Sequence, residues 1–197
     1  DLEPDGVRLV ATDSSRLAVR ELPGATLVGR GQEILVPSRS LGELERLIQH
    51  GDELRVTQGD NRATFECGGV TLTTTLLNVE FPKYKQLIAS SYPNQLTTNR
   101  EQLLEAVRRA RILARETTPV RLEMTSSTLR LSVVTQDLGQ VVDEIDATMQ
   151  GAEITLGFNS DYLLQGIEAI TTEEISIQDR KSTRLNSSHV SESRMPS

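Results

Sequence analysis

The sequence has no tryptophan, one cysteine and two histidines, and aromatic residues make up only 3% of it. Each scarcity excludes something. With so few rings, the core must be built from Leu, Val, Ile and Ala. A single cysteine, Cys67, rules out an internal disulfide framework and is expected to serve as a small buried hydrophobe in a reducing compartment. A catalytic thiol would need an activating base, and His50 and His189 sit in unpromising segments. No apolar run approaches the roughly 20 residues that span a bilayer, and no signal peptide opens the chain. The cytoplasm is therefore the expected location, with no membrane partner. There is no metal-spaced His/Cys set, no phosphate-cradling glycine loop and no nucleophile–base pair. Asp143, Glu144 and Asp146 form the densest acidic cluster, but strand alternation sends Asp143 and Glu144 to opposite faces. No enzyme, metal or cofactor is indicated. Positive charge is also short: 21 Lys and Arg face 28 Asp and Glu, for a net −7. A nucleic-acid role would require basic residues concentrated on one surface.

What is present is an ordinary globular composition, 37% hydrophobic and 25% charged, in 197 residues. That length suits one large domain or two small ones. The opening Asp1 to Gly6 reads as a β-turn rather than a start, so an N-terminal part is expected to be missing. Period-two alternation between turn residues predicts strands at Val7–Val10, Leu17–Leu22, Glu33–Val36, Leu54–Val56, Arg62–Cys67 and Val70–Leu76. More follow at Val120–Met124, Leu129–Val134, Gln140–Ala147, Ile154–Leu156 and Ile175–Ile177. Gly68-Gly69 reads as a hairpin turn.

Three segments carry helical spacing. Ser40 to Gln49 places Leu41, Leu44, Leu47 and Ile48 on one face, with Ser40 and Glu43 as a capping box. Thr98 to Arg115 has Leu103, Leu104, Val107, Ala110 and Ala114, with Thr98 and Glu101 as a second box. Asn159 to Ile170 has Leu163, Leu164, Ile167 and Ile170, with Asn159 or Ser160 as N-cap. The segments Ile34–Gln58 and Ile154–Gln178 repeat one pattern of strand, cap, helix, acidic turn and strand. Leu44 aligns with Leu164 and Leu47 with Ile167; after a one-residue shift Leu54 aligns with Ile175 and Val56 with Ile177. A repeat this long suggests duplicated domains. By the same pattern, strands should follow Gln178. Residues 180–197 instead are serine-rich and poor in large apolar residues. They resemble translated adapter sequence and are read as a non-native tail.

Three motifs occur in order: Ala11-Thr12-Asp13-Ser14-Ser15-Arg16-Leu17-Ala18, then Glu80-Phe81-Pro82-Lys83-Tyr84, then Gly157-Phe158-Asn159-Ser160-Asp161-Tyr162-Leu163. Together they resemble the bacterial DNA polymerase III beta subunit family, the sliding clamps, over about Gly6 to Gln178. The resemblance implies an α+β DNA-clamp fold of antiparallel sheets with two helices per domain on one face, in two incomplete copies. Residues 1–90 would be the second half of the middle domain, and 91–179 a C-terminal domain lacking its last strands. The implied function is a non-catalytic processivity factor. It would encircle double-stranded DNA as a head-to-tail homodimer, without reading sequence. It would dock the DNA polymerase III catalytic subunit, the clamp loader and other clamp-binding-motif proteins.

The resemblance further implies a peptide groove formed by Thr12, Ser14, Ser15, Arg16, Leu17, Pro82, Gln86, Leu87, Asn159 and Tyr162. Apolar walls with a few polar groups at the rim suit a short peptide with Leu and Phe anchors. Read without it, Leu17 and Leu87 are core residues and Arg16 is a solvated strand residue. The sequence departs from the family pattern at Ser15, Gln86 and Ala89. The basic helix Thr98–Arg115 carries five arginines against Glu101 and Glu105, a local +3. At about 100° per residue, Arg108, Arg111 and Arg115 share a narrow arc beside its apolar stripe. With Arg39 and Arg46 of the first helix, these are the expected DNA-channel residues. The alternative is a β-rich scaffold or interaction domain with no DNA role, in which the same arginines form a solvated helix face.

Overall fold

A computed structural model describes residues 2–3, 6–24, 33–114 and 118–180. The chain divides into two compact units, Asp1–Leu87 and Ile88–Ser197.

In the first unit, β1 (Leu2–Glu3), β2 (Gly6–Thr12) and β3 (Leu17–Pro23) form an antiparallel meander. Helix α1 (Ser38–Leu47) follows, and then a second meander of β4 (Arg55–Gln58), β5 (Arg62–Cys67) and β6 (Val70–Thr75). The turn between β5 and β6 is Gly68-Gly69, with φ of 55° and 79°, a left-handed pair that only glycine adopts without cost. Alternation along β5 buries Ala63, Phe65 and Cys67, which share a small core with Leu47 of α1. Cys67 is a free, buried thiol, as its sequence context suggests.

Several expectations for this unit need correction. Ser40 does not cap a helix. The helix begins two residues earlier behind Pro37, whose side chain offers no cap bond, and the Ser40 hydroxyl instead meets Thr74 Oγ1 at 2.7 Å. Of the expected stripe, Leu47 is buried and Leu44 packs against the core, whereas Leu41 and Ile48 are 40% and 45% exposed, Ile48 lying just past the end of the helix. Glu33–Val36 forms no ladder. Leu35 accepts one backbone bond from Leu77, at 2.8 Å, while Ile34 and Val36 pack against the core.

The second unit contains β7 (Asn94–Asn99), α2 (Arg100–Arg111), β8 (Val120–Met124), β9 (Thr128–Thr135), β10 (Gly139–Gln150), β11 (Ile154–Phe158), α3 (Ser160–Ala169) and β12 (Glu174–Asp179). All six strands join one antiparallel sheet in the order β11-β8-β9-β10-β7-β12. Leu103, Val107 and Ala110 of α2 and Leu163, Leu164 and Ile167 of α3 enter one core with Leu122, Leu131 and Ile177 of the sheet. The helices are amphipathic because that core takes one stripe of each. The second strand of the repeat is buried here, at Ile175 and Ile177, but its counterpart in the first unit leaves Leu54 and Val56 exposed.

The cap of α2 is another correction. Asn99 accepts both the Glu101 and Gln102 amides at 3.0 Å. Thr98 lies in β7, and its hydroxyl donates to the Asp146 carbonyl at 2.7 Å. A β-strand Thr buried at a sheet position cannot also reach the helix amides. The N-cap of α3 is Asn159, the first of the two expected candidates; Ser160 is a buried helical residue. The tail reading for 180–197 falls, apart from Arg180, outside the described residues. No described helix is long and apolar enough to cross a membrane.

Candidate functional site

The site residues fall into three local groups and a set of arginines. The first group is the β2–β3 turn. Thr12 and Leu17 are the last paired residues of the hairpin, and Asp13 to Arg16 span it. Asp13 organises the turn. Its Oδ1 accepts the Ser15 and Arg16 amides, both at 3.1 Å, and its Oδ2 accepts Arg16 Nε at 2.9 Å. Thr12 Oγ1 donates to the Arg16 carbonyl at 2.7 Å and accepts the Ser14 amide at 3.3 Å. Ser14 takes φ of 73°, left-handed backbone that costs a non-glycine residue roughly 1–2 kcal/mol, which these bonds offset. The Ser15 amide, with Arg16, holds the Asp13 carboxyl below the usual aspartate range. Thr12, Ser14, Ser15 and Arg16 are exposed and Leu17 is half-buried.

The second group is a single 3-10 turn, Tyr84–Gln86. Tyr84 is buried and meets Phe81 edge-on, with ring centroids 6.4 Å apart. That anchor turns Pro82, Gln86 and Leu87 outward, Leu87 to 53% exposure. The third group opens α3. Asn159 Oδ1 caps the helix by accepting the Asp161 and Tyr162 amides at 2.9 and 3.2 Å. Its oxygen is thereby engaged, leaving its NH2 for any ligand. Tyr162, one turn in, is 41% exposed.

The arginines of α2 are more constrained than their formal charge suggests. Arg108 bonds Glu105 of its own helix at 2.9 Å and Glu168 of α3 at 3.2 Å. Both carboxylates raise its pKa further above the range of physiological titration. Arg111 Nε reaches Asp161 of α3 at 2.7 Å. Arg109 lies on the other flank, where its Nε bonds Asp143 of β10 at 2.7 Å. Arg100 Nε donates to the Ile167 carbonyl at 3.1 Å. Arg108 and Arg111 thus share the α3 side of α2, as the helical arc predicts; Arg115 lies outside the described residues. In the first unit Arg39 is exposed, and Arg46 pairs with Glu43 at 3.2 Å. The four arginines of α2 are matched by Glu101 and Glu105 on α2 and Asp161 and Glu168 on α3, so the helix pair is formally neutral. Sequence reasoning missed Asp13, Asp161 and Glu168. Asp13 was legible as an Asx turn three residues before Arg16. The α3 carboxylates were not, because their pairing depends on how the helices pack.

Solved structures define the class. The DNA polymerase sliding clamp of Bacillus subtilis superposes with a TM-score of 0.83 at 26% identity, over 90% of this chain and 48% of that one. A DnaN sliding clamp (DNA polymerase III subunit beta) from Pseudomonas aeruginosa, solved bound to griselimycin, gives 0.83 at 26% over 91% and 49%. The fold is that of the DNA sliding clamps. The sequence narrows this to a family: the central-domain profile of the DNA polymerase III beta subunit matches residues 1–83 and its C-terminal-domain profile residues 85–192. The chain belongs to the DNA polymerase III beta subunit family. The beta sliding clamp of Synechococcus elongatus is 33% identical over 189 residues, 92% of this chain and 50% of that protein. The chain spans about half the length of the curated relatives it matches.

Proposed function

We propose that this chain forms part of a sliding clamp, a non-catalytic cytoplasmic subunit that closes as a head-to-tail homodimer around duplex DNA. The observation that carries this reading is the second unit: two helices side by side over one antiparallel sheet, within a chain that superposes on solved clamps. A ring holds DNA by topology, so the bulk acidity of the chain is no obstacle. Only the channel side need offer cations, and phosphate contacts carry no sequence information. Arg39, Arg46, Arg108, Arg111 and Arg115 are the proposed channel residues. The proposed domain arrangement puts 1–90 in the middle domain and 91–179 in the last.

The three local groups are the proposed docking groove for peptides of the polymerase catalytic subunit, the clamp loader and other clamp-binding-motif proteins. Leu17, Pro82 and Leu87 would supply apolar area, with the Thr12–Arg16 turn and Asn159 as polar rim. A relative solved with griselimycin bound supports a ligand-accepting surface in this family.

The decisive experiment grafts this chain onto the Bacillus subtilis clamp in place of the matching half. The chimera is loaded onto nicked circular DNA, which is then linearised. Retention on the circle and release from the linear form are expected; equal retention on both would refute the topological reading.

A further inference from the structure

Arg108 and Arg111 already have partners. Each reaches across the α2–α3 seam to a carboxylate, Glu168 at 3.2 Å and Asp161 at 2.7 Å. All four side chains remain about half exposed, at 44–53%. The seam is therefore neither a buried structural ion pair nor a bare cationic strip. Exposed pairs of this kind are worth little to the fold and open readily. A phosphate approaching either arginine competes with a carboxylate of the same sign and similar geometry for the guanidinium.

We propose that Asp161 and Glu168 are resident counter-charges that compete with DNA phosphates for Arg111 and Arg108, keeping each contact weak and quickly exchanged. This rests on the DNA-channel reading of α2. A phosphate that replaces a carboxylate leaves the arginine paired before and after, so little free energy separates one position on the duplex from the next. Fewer counterions are released as well, because the displaced carboxylate gathers a cation of its own. For a protein that must stay on DNA yet move along it, this divides the work: topology retains, and the carboxylates lower the friction. The proposed partner chemistry is the phosphodiester backbone, without base contacts.

The test measures anisotropy of a short fluorescein-labelled blunt duplex titrated with the full chain at low salt. The Asp161→Asn/Glu168→Gln variant is expected to bind roughly three- to ten-fold more tightly at about 50 mM salt, the gain shrinking as screening rises. Its log affinity should also fall more steeply with log salt, by about 0.9 for each arginine newly engaged. A control of equal charge, Glu144→Gln/Asp146→Asn, alters exposed positions of β10 that alternate with Asp143, which faces α2. It should gain far less; an equal gain would reduce the effect to net charge and overturn the proposal. Adding Arg108→Ala/Arg111→Ala to the neutralised variant should abolish the gain, and a gain that survives overturns it too. If neutralisation gives no gain while Arg108→Ala/Arg111→Ala alone weakens binding, the channel reading stands and the counter-charge idea fails. If neither changes binding, both fail. Should the double variant melt early, Asp161→Asn alone, which removes the carboxylate facing Arg111, carries the same expectation at about half the logarithmic effect.

Discussion

Removing the Asn99 side chain tests the link between β7 and the arginine-bearing helix. Asn99 is the last residue of β7, and its Oδ1 takes two of the four amides that open α2, both at 3.0 Å. Asn99→Ala should cost about 1 kcal/mol, within the 0.5–2 kcal/mol typical of N-caps. In a unit of this size that lowers the melting temperature by about 4–8 °C. The local signature is sharper: the Glu101 and Gln102 amides should exchange hydrogen about five-fold faster, whereas those of α3 should be unchanged. Asn99→Asp keeps the acceptor and adds a negative charge at the positive end of the helix. It should hold or raise stability at neutral pH and lose that advantage as the new carboxylate protonates. If Asn99→Ala leaves both the melting temperature and the two amides unaltered, the cap assignment is wrong. Should Asn99→Asp destabilise as much as Asn99→Ala, the side chain acts by packing rather than by capping.

Three further expectations follow from the same geometry. Gly151 has φ of 98°, and a Cβ there would press on the Pro93 carbonyl oxygen and the Asn94 side chain; Gly151→Ala should therefore destabilise the second unit strongly, read by chemical denaturation. The Asp13 carboxyl has a lowered pKa in the folded turn, so its contribution is present above the unfolded value of about 3.9 and is lost as pH falls through the lower folded one. The Ser15 amide resonance should thus keep its folded position through the ordinary aspartate range and shift only below it; a midpoint at the unfolded value would contradict the bonding described. Leu17→Asp should abolish binding of a clamp-binding peptide in the grafted chimera while leaving the far-ultraviolet spectrum intact, and unchanged peptide affinity would remove Leu17 from the proposed groove.

The sequence announced most of this architecture through period. Alternation located β5, β8 and β9 because each buries one face, and the stripe Leu103, Leu104, Val107, Ala110 located α2. It was silent on β7, whose residues Asn94-Gln95-Leu96-Thr97-Thr98-Asn99 carry a single large apolar side chain. That strand is held by neighbours on both sides, β10 and β12, which no local pattern encodes. The capping boxes misled for a related reason. Ser40 and Thr98 have the right spacing to a glutamate, but each hydroxyl found a partner on a strand, Thr74 and Asp146. At the site, the Asp13 turn was readable because its bonds span three residues. The seam carboxylates were not, since Arg108 and Glu168 are joined only by the packing of two helices.

The position of β7 also dictates an order of assembly. Strands β8, β9 and β10 are joined by short turns and can pair as soon as they exist. β7 precedes them in the chain, yet it must wait for the far end of β10, where Leu96 meets Met149. Its other edge stays open until Ile175 arrives opposite Thr98. During synthesis, then, the β7–β12 end of the sheet is the last part to be sealed. A nascent chain paused before Glu174 would display an unpaired strand edge, the surface on which wrong partners add.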